Sequence, residues 1–425
     1  MTSLLTRTLS TSRTLSRTLS TARSLSTSAY IWGAGAAGLT PCGTISGDVL
    51  EPRDITDNLA AYAGSEGMPP GSKIAKIVAG KGNNTAFLFA AEGGTHVKIT
   101  GEDKYSAVSG TFPPNVRIDS VSLGPFNYSA IGTSAGSDTP DLYSWGFPGS
   151  NVAGFGQLGL GGVLSTPGDN HVAHPTLVTS LTEDCTPPSQ VEHGSAHSMV
   201  LSLSSNEVLA CGSGSYGRLG SPEPNDVLDY SPIDYLTSQA TGATWKKVSV
   251  GSDFSLALDG DGNVYGYGKN DKGQIGQGGG MSMDMYAVEP LPTVVEYFSL
   301  ANKKITDISA GYNHAAAVTD EGELYCWGGR SGFFEPELVT GLLGIDIVEV
   351  QCGNNFTVAV DAAGLLYTLS HGGTAGGVKA GACGGGDGKG GVDPRIIQLG
   401  GRVKELSVGW THVAALVDDG PENAP

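Results

Sequence analysis

The chain has 425 residues, 65 of them glycine, and a net charge of −18; glycine at about 15% is roughly twice its usual share. It has no Gly-X-Y period, which excludes collagen, and no apolar run approaches the ~18 residues of a transmembrane helix, so no membrane span is expected. The acidity also argues against nucleic acid: four arginines precede the first acidic residue, Asp48, and without them the remainder falls from −18 to −22, so no DNA binding is expected and direct RNA binding is disfavoured.

Residues 1–28 contain only Met, Thr, Ser, Leu, Arg and one Ala. On a helical wheel Leu4, Leu5, Leu9, Leu15 and Leu19 share one arc, and Arg7, Arg13 and Arg17 share the opposite one. A basic, Ser-rich, acid-free amphipathic segment without a continuous apolar core fits a mitochondrial import sequence better than a secretory signal. Arg23 stands three positions before a cut between Leu25 and Ser26. The expectation is a presequence over 1–28 and a location in the mitochondrial matrix; the other reading is a disordered Ser/Thr tail open to phosphorylation.

Residues 30–40 follow as YIWGAGAAGLT, in which Gly33, Gly35 and Gly38 spell GxGxxG. This glycine fingerprint holds a dinucleotide only where its third glycine opens a helix. Pro41, Gly43 and Gly47 fall where that helix would run, at about 3 kcal/mol for the proline and about 1 kcal/mol for each glycine. No flavin, nicotinamide or other cofactor is expected.

The motif has another origin, because the rest of the chain repeats. A glycine after an apolar pair, followed by small or apolar residues, occurs at Gly80, Gly124, Gly194 (EHGSAHSMVL), Gly251 (SVGSDFSLAL), Gly311 (SAGYNHAAAV), Gly353 (QCGNNFTVAV) and Gly409 (SVGWTHVAAL). A second unit follows a Gly/Asp turn: VKITG ending at Gly101, LYSWG at Gly146, VLACG at Gly212, VYGYG at Gly268, LYCWG at Gly328 and a degenerate LLYTLS at Ser370. Each pair predicts a β-hairpin with alternating apolar residues. Six second units face seven first ones. The last first unit runs into ALVDDG without a partner, and YIWG, with Trp32 and Gly33, is an orphan second unit at the other end. Pairing the two closes a ring and removes the open sheet edges. Glycine loops follow several second units (154–162, 214–220, 272–280), and Pro175, Pro232, Pro292, Pro336 and Pro394 then introduce a further strand, where an edge tolerates proline.

The GxxHxxAL-like units, the LYxWG units and the GQLG-like loops together resemble the regulator of chromosome condensation repeat family, over about residues 30–416. The resemblance implies an all-β, seven-bladed β-propeller, here spanning 29–418 and closed by residues 30–33 in the C-terminal blade, with a disordered tail over 419–425. The chain departs from the family pattern over 44–101, 147–190 and 372–404.

Candidate chemical groups are few. His197, His314 and His412 each stand three residues after a repeat glycine, a place held elsewhere by Asn83, Asn127, Phe254 and Phe356. A catalytic histidine acts once; a recurring one is expected to pack and hydrogen-bond between blades. Trp32, Trp145 and Trp327 lie beside repeat glycines, as core residues would, unlike the tryptophans clustered on a dimer face in plant UV-B photoreceptors of the family. His171 and His174 form HxxH, but Asp169 and His193 supply no recognised metal-ligand spacing, so no metal is expected. In GGGDGKGG (384–391) Cys383 and Gly390 stand where a phosphate loop needs Gly and Ser or Thr. The six cysteines include no CxxC and fit buried thiols in a reducing compartment.

No enzymatic activity of its own is expected. The resemblance to mitochondrial members of the family implies a protein-interaction propeller that acts in assembly of, or as a subunit of, a large complex, the mitochondrial ribosome or a respiratory complex. The alternative it implies is guanine-nucleotide exchange on a mitochondrial small or dynamin-like GTPase. In the founding member a wedge projects from one face. Here the hairpin TSAGSDTPDLYSWG, with Asp138 and Asp141, is the possible partner-contact element, and its plainer reading is an extended surface turn.

Overall fold

The structure is a computed structural model that describes residues 27–33, 49–65, 68, 72–91, 94–101, 112–113, 115–150, 154–161, 171–278, 287–329, 333–370 and 394–418. The expected cleavage pair Leu25–Ser26, the tail over 419–425 and the GGGDGKGG segment lie outside those residues.

Each repeat pair makes one antiparallel sheet, and seven such sheets form a ring. The fourth is typical: Trp245–Val250, Phe254–Asp259, Val264–Lys269 and Val288–Val294 lie side by side from the central channel to the rim. Counting blades in chain order, the innermost strands are Lys73–Ala79, Val116–Leu123, Gln190–His193, Trp245–Val250, Ile305–Ala310, Ile347–Cys352 and Arg402–Val408. In blade 1 three strands fall among the described residues. Pro175, Pro232 and Pro292 sit in outermost strands, where no further strand needs their missing N–H.

The hairpin alternation has a different meaning from the one expected. The second strand of a blade, such as FSLALD or HAAAVT, is buried along its whole length, so both of its faces pack against neighbouring blades, and in FSLALD large residues alternate with Ser and Ala. In blade 4, Phe254, Leu256 and Leu258 face blade 5 and pack with Ile305, Ile308 and Trp327. Ala257 faces the other way and meets Met199 and Leu201 of blade 3. The core is therefore a set of layers between neighbouring blades, each filled by large side chains from one sheet against small ones from the next.

The termini close the ring as the repeat count requires. Thr27–Gly33 pairs with His412–Asp418 in unbroken antiparallel register, from Thr27 opposite Asp418 to Gly33 opposite His412. Its other edge receives Val49–Asp54. Ala29, Ile31 and Trp32 are fully buried.

A ten-residue helix unforeseen in the sequence, α1 (Thr56–Ser65), follows that outermost strand. Asp54 starts it by accepting hydrogen bonds from the Thr56 N–H at 2.8 Å and hydroxyl at 2.6 Å. It buries Leu59, Tyr62 and Ala63, an i, i+3, i+4 stripe too short to stand out as a period.

Candidate functional site

The repeat histidines sit at the seams between blades. A glycine is needed three residues before each because the ring folds back over it: a Cβ on Gly194 would lie 2.4 Å from the His197 ring. His197 Nε2 meets Ser255 Oγ of the next blade at 3.0 Å, His314 Nε2 meets Thr357 Oγ1 at 3.0 Å, and His412 Nε2 meets Thr85 Oγ1 at 2.9 Å. Burial pushes His412 down to about 3, and burial aided by the nearby cations Arg218 and Lys81 holds His197 well below the usual histidine range. In blade 2 Asn127 takes this place, with its amide 3.0 Å from Ser198 Oγ of blade 3. In blade 1 the residue is Asn84 and not Asn83. One extra residue, in AGKGNN, shifts the count, and the Gly80 N–H bonds the Asn84 carbonyl just as Gly124 N–H bonds that of Asn127. Asn84 Nδ2 reaches the Gly124 carbonyl at 3.2 Å.

The second-unit glycines are close-approach points. Gly33 has φ +124°, and a Cβ there would stand 2.5 Å from His412 Cα. The first glycine of GxGxxG is thus a strand end; Gly35 and Gly38 lie outside the described residues, and the next described element is the strand Val49–Asp54. Gly146, Gly212, Gly268 and Gly328 also have positive φ. Trp145 and Trp327 are buried beside two of them, and all five tryptophans are buried. The glycine loops carry a signal the sequence reading passed over. Gln157, Arg218 and Gln274, each followed by Leu or Ile, are buried, and Arg218 Nη1 pairs with Asp253 of blade 4 at 2.9 Å.

The innermost strands line a central channel of about 460 Å³. At four repeat glycines the residue two places before links its blade to the next: Ser249 Oγ accepts the Ala310 N–H, Ser309 Oγ that of Cys352 and Ser407 Oγ that of Ala79, all at 2.9 Å. Gln351 Oε1 does the same for the Val408 N–H at 2.9 Å. Lys247 pairs with Asp307 at 2.6 Å and Lys76 with Glu405 at 3.3 Å.

Lys81 crosses this channel. It starts in blade 1, and its ammonium donates to Glu192 at 3.1 Å and the His193 carbonyl at 2.8 Å in blade 3, and to the Val250 carbonyl in blade 4. Three donors meet three acceptors, so the charge is fully used in holding non-adjacent blades. Lys81→Met keeps the stem and leaves those acceptors without their donor; it is expected to cost about 2 kcal/mol. Chemical denaturation checks this, and an unchanged midpoint would contradict the role.

His193, raised in the sequence as a metal neighbour, ends the innermost strand of blade 3; His174 lies on the outermost strand of blade 2, with His171 just before it. The His193 Nδ1 contacts Ser198 Oγ at 2.8 Å and Asn127 Nδ2 at 3.0 Å, and burial with the Lys81 charge pushes its pKa down to about 3. Among the described residues no three His, Cys, Asp or Glu side chains gather as a metal site.

Asp138 and Asp141 lie on the face opposite the repeat glycines. The hairpin strands stay paired up to Thr133 opposite Pro140, which leaves a six-residue tip over 134–139. Asp138 is exposed, and Asp141 accepts a hydrogen bond from the Thr182 hydroxyl at 3.1 Å. Beside them is a pocket of about 310 Å³.

Comparison with known proteins agrees with this geometry. Family models described as the regulator of chromosome condensation (RCC1) repeat match residues 141–201 and 261–318, and 245–274 and 305–332. The chain is similar to the ultraviolet-B receptor UVR8 of Arabidopsis thaliana, 32% identical over 62% of this chain and 57% of the receptor. It is also similar to the secretion-regulating guanine nucleotide exchange factor of Bos taurus, 28% identical over 57% of this chain and 50% of that protein. The chain thus spans about half the length of each of these relatives. Prp20p of Saccharomyces cerevisiae, a protein with described binding to Gsp1p and histones, superposes with a TM-score of 0.71 over 93% of this chain and 92% of its own at 19% identity, which is a likeness of fold. Residues 141–201 and 245–332 carry regulator of chromosome condensation repeats, in a chain that closes into a seven-bladed β-propeller.

Proposed function

We propose that this propeller is a mitochondrial protein-interaction disc that acts in assembly of, or as a stable subunit of, a large complex such as the mitochondrial ribosome or a respiratory complex. The observation that carries the protein-interaction part is on the face of the repeat glycines. Phe126, Tyr216 and Phe333 are exposed there, and Tyr216 is held at φ +63° with Arg218 and Lys269 at 5.3 and 5.4 Å from its ring. A non-glycine residue in left-handed backbone stores about 1 kcal/mol or more of strain, and exposed aromatics beside arginine are typical anchors of protein interfaces. The acidic body favours protein over nucleic acid as the partner.

The mitochondrial part rests on residues 1–28. The first strand begins at Thr27, so a cut between Leu25 and Ser26 would leave the closing strand whole. Radiolabelled chain added to energised mitochondria is expected to become protease-protected and to carry Ser26 at its new N-terminus. Full-length, protease-accessible chain would overturn the location.

A second reading, exchange on a mitochondrial small or dynamin-like GTPase, is favoured by the similarity to the secretion-regulating exchange factor. It requires that purified chain accelerate release of fluorescent GDP from such a GTPase.

A further inference from the structure

The pocket on the hairpin face is built from three separate stretches that the fold brings together. One wall is the last tip residue, Thr139, with the start of the hairpin's second strand to Leu142; the second is the linker from Leu181 to Pro188; the third is the turn at Ser204 and Ser205. Its floor is apolar: Leu142 and Leu181 are buried, and Pro140, Pro187 and Pro188 line the sides. Its volume of about 310 Å³ is at the lower end of the ~300–1,000 Å³ of ligand pockets, enough for side chains and small for a cofactor.

The rim is acidic. Asp138 adjoins one lining stretch, Glu183 and Asp184 interrupt another, and Asp141 lines the pocket itself. Asp138, Glu183 and Asp184 are exposed, and among the described residues no ion pair involves any of the four. The other walls add hydroxyls (Thr139, Thr182, Ser204, Ser205) and no cation. Cys185, exposed and at φ +56°, lies in the linker wall.

An apolar floor beneath unneutralised carboxylates suits a side chain that is itself apolar along its stem and cationic at its end. We infer that this pocket is the docking point for a lysine- or arginine-bearing segment of a protein partner. The aliphatic stem would cover Leu142 and Leu181, and the cation would stand among Asp138, Asp141, Glu183 and Asp184. A basic residue of the partner bound there would shield Cys185 from solvent. The inference rests on the reading of this propeller as a protein-interaction module and adds a second binding surface, on the face opposite the exposed aromatics, with the chemistry it takes.

The test uses purified full-length chain and a dansyl-labelled hexapeptide of alternating leucine and lysine. Alkylation of Cys185 by iodoacetamide is followed by peptide mass spectrometry. The peptide at saturation is expected to slow that alkylation at least fivefold. The triple variant Asp138→Lys, Glu183→Lys, Asp184→Lys is expected to bind it at least tenfold more weakly. A second triple on the same face, Asp234→Lys, Asp261→Lys, Asp320→Lys, makes the same change in net charge away from the pocket and is expected to alter affinity less than threefold. Unchanged alkylation of the wild-type chain at saturating peptide would overturn the proposal even if a variant failed to fold. Equal weakening by the two triples would overturn it too, by reducing the binding to general acidity. Because the assay needs no mitochondrial component, its failure leaves the organellar reading standing, and failure of that reading leaves this result unaffected.

Discussion

A chain that begins at residue 34 is expected not to yield a stable monomeric disc, whereas one that begins at Ser26 is expected to fold like the full chain. The missing segment is the strand Thr27–Gly33, which lies between His412–Asp418 and Val49–Asp54. Its loss removes Ile31 and Trp32, both fully buried; truncation in a core costs about 2–5 kcal/mol for an isoleucine and about 3–5 kcal/mol for a tryptophan. That sum rivals the ~5–15 kcal/mol that holds a whole domain. It also bares the edge of His412–Asp418, a template for pairing with other chains. Size-exclusion chromatography and thermal melting measure both effects, and a peptide of residues 26–33 added in trans is expected to restore some monomer by strand addition. A truncated chain that melts within a few degrees of the full one would mean that the ring does not depend on its terminal strand.

Mild acid is the second large effect. His193, His197 and His412 are buried with pKa values held far below the ~6.5 they have when unfolded. Between those values the unfolded chain binds protons that the folded one refuses, so stability is full above about pH 6.5 and falls as the pH drops towards 3. Each histidine then withdraws about 1.4 kcal/mol by pH 5.5, or about 4 kcal/mol for the three together. Glu349 in the channel, whose carboxyl burial pushes up, works in the opposite sense as the pH falls. His412→Phe copies the ring found at Phe254 and Phe356 and is expected to remove about a third of the loss. Equal stability at pH 7.5 and 5.5 by urea unfolding would show that the buried imidazoles are not neutral.

Much of this architecture was written in glycine spacing. Gly33 and Gly409 gave away the ring closure because each repeat glycine marks a place where a Cβ would strike a neighbouring strand or ring, so the positions recur whatever lies between them. Position in the ring was legible for the same reason in His197, His314 and His412. Asn84 was misplaced by one because only the backbone shows that AGKGNN carries an insertion. The serine ladder could have been found: Ser249, Ser309 and Ser407 each stand two residues before a repeat glycine.

Other features depend on contacts far apart in the chain. Lys81 lies 111 residues from Glu192 and 169 from Val250, and no local pattern marks it. The hairpin with Asp138 and Asp141 drew notice as a possible wedge. Its tip is short, and what distinguishes it is the pocket it forms with a linker some 40 residues later. The second strands, packed on both faces, looked like parts of ordinary half-buried hairpins because alanine and serine say nothing about which neighbour they must admit.

The most direct test of the central claim, that this disc works by binding other proteins in mitochondria, is a native-size profile. Intact mitochondria are lysed gently, separated by size, and every fraction is read by mass spectrometry. The account predicts that this chain co-migrates with ribosomal or respiratory subunits in a complex far larger than its own 43.4 kDa. Migration as a lone monomer in every fraction, with no stimulated GDP release from a GTPase, would contradict it.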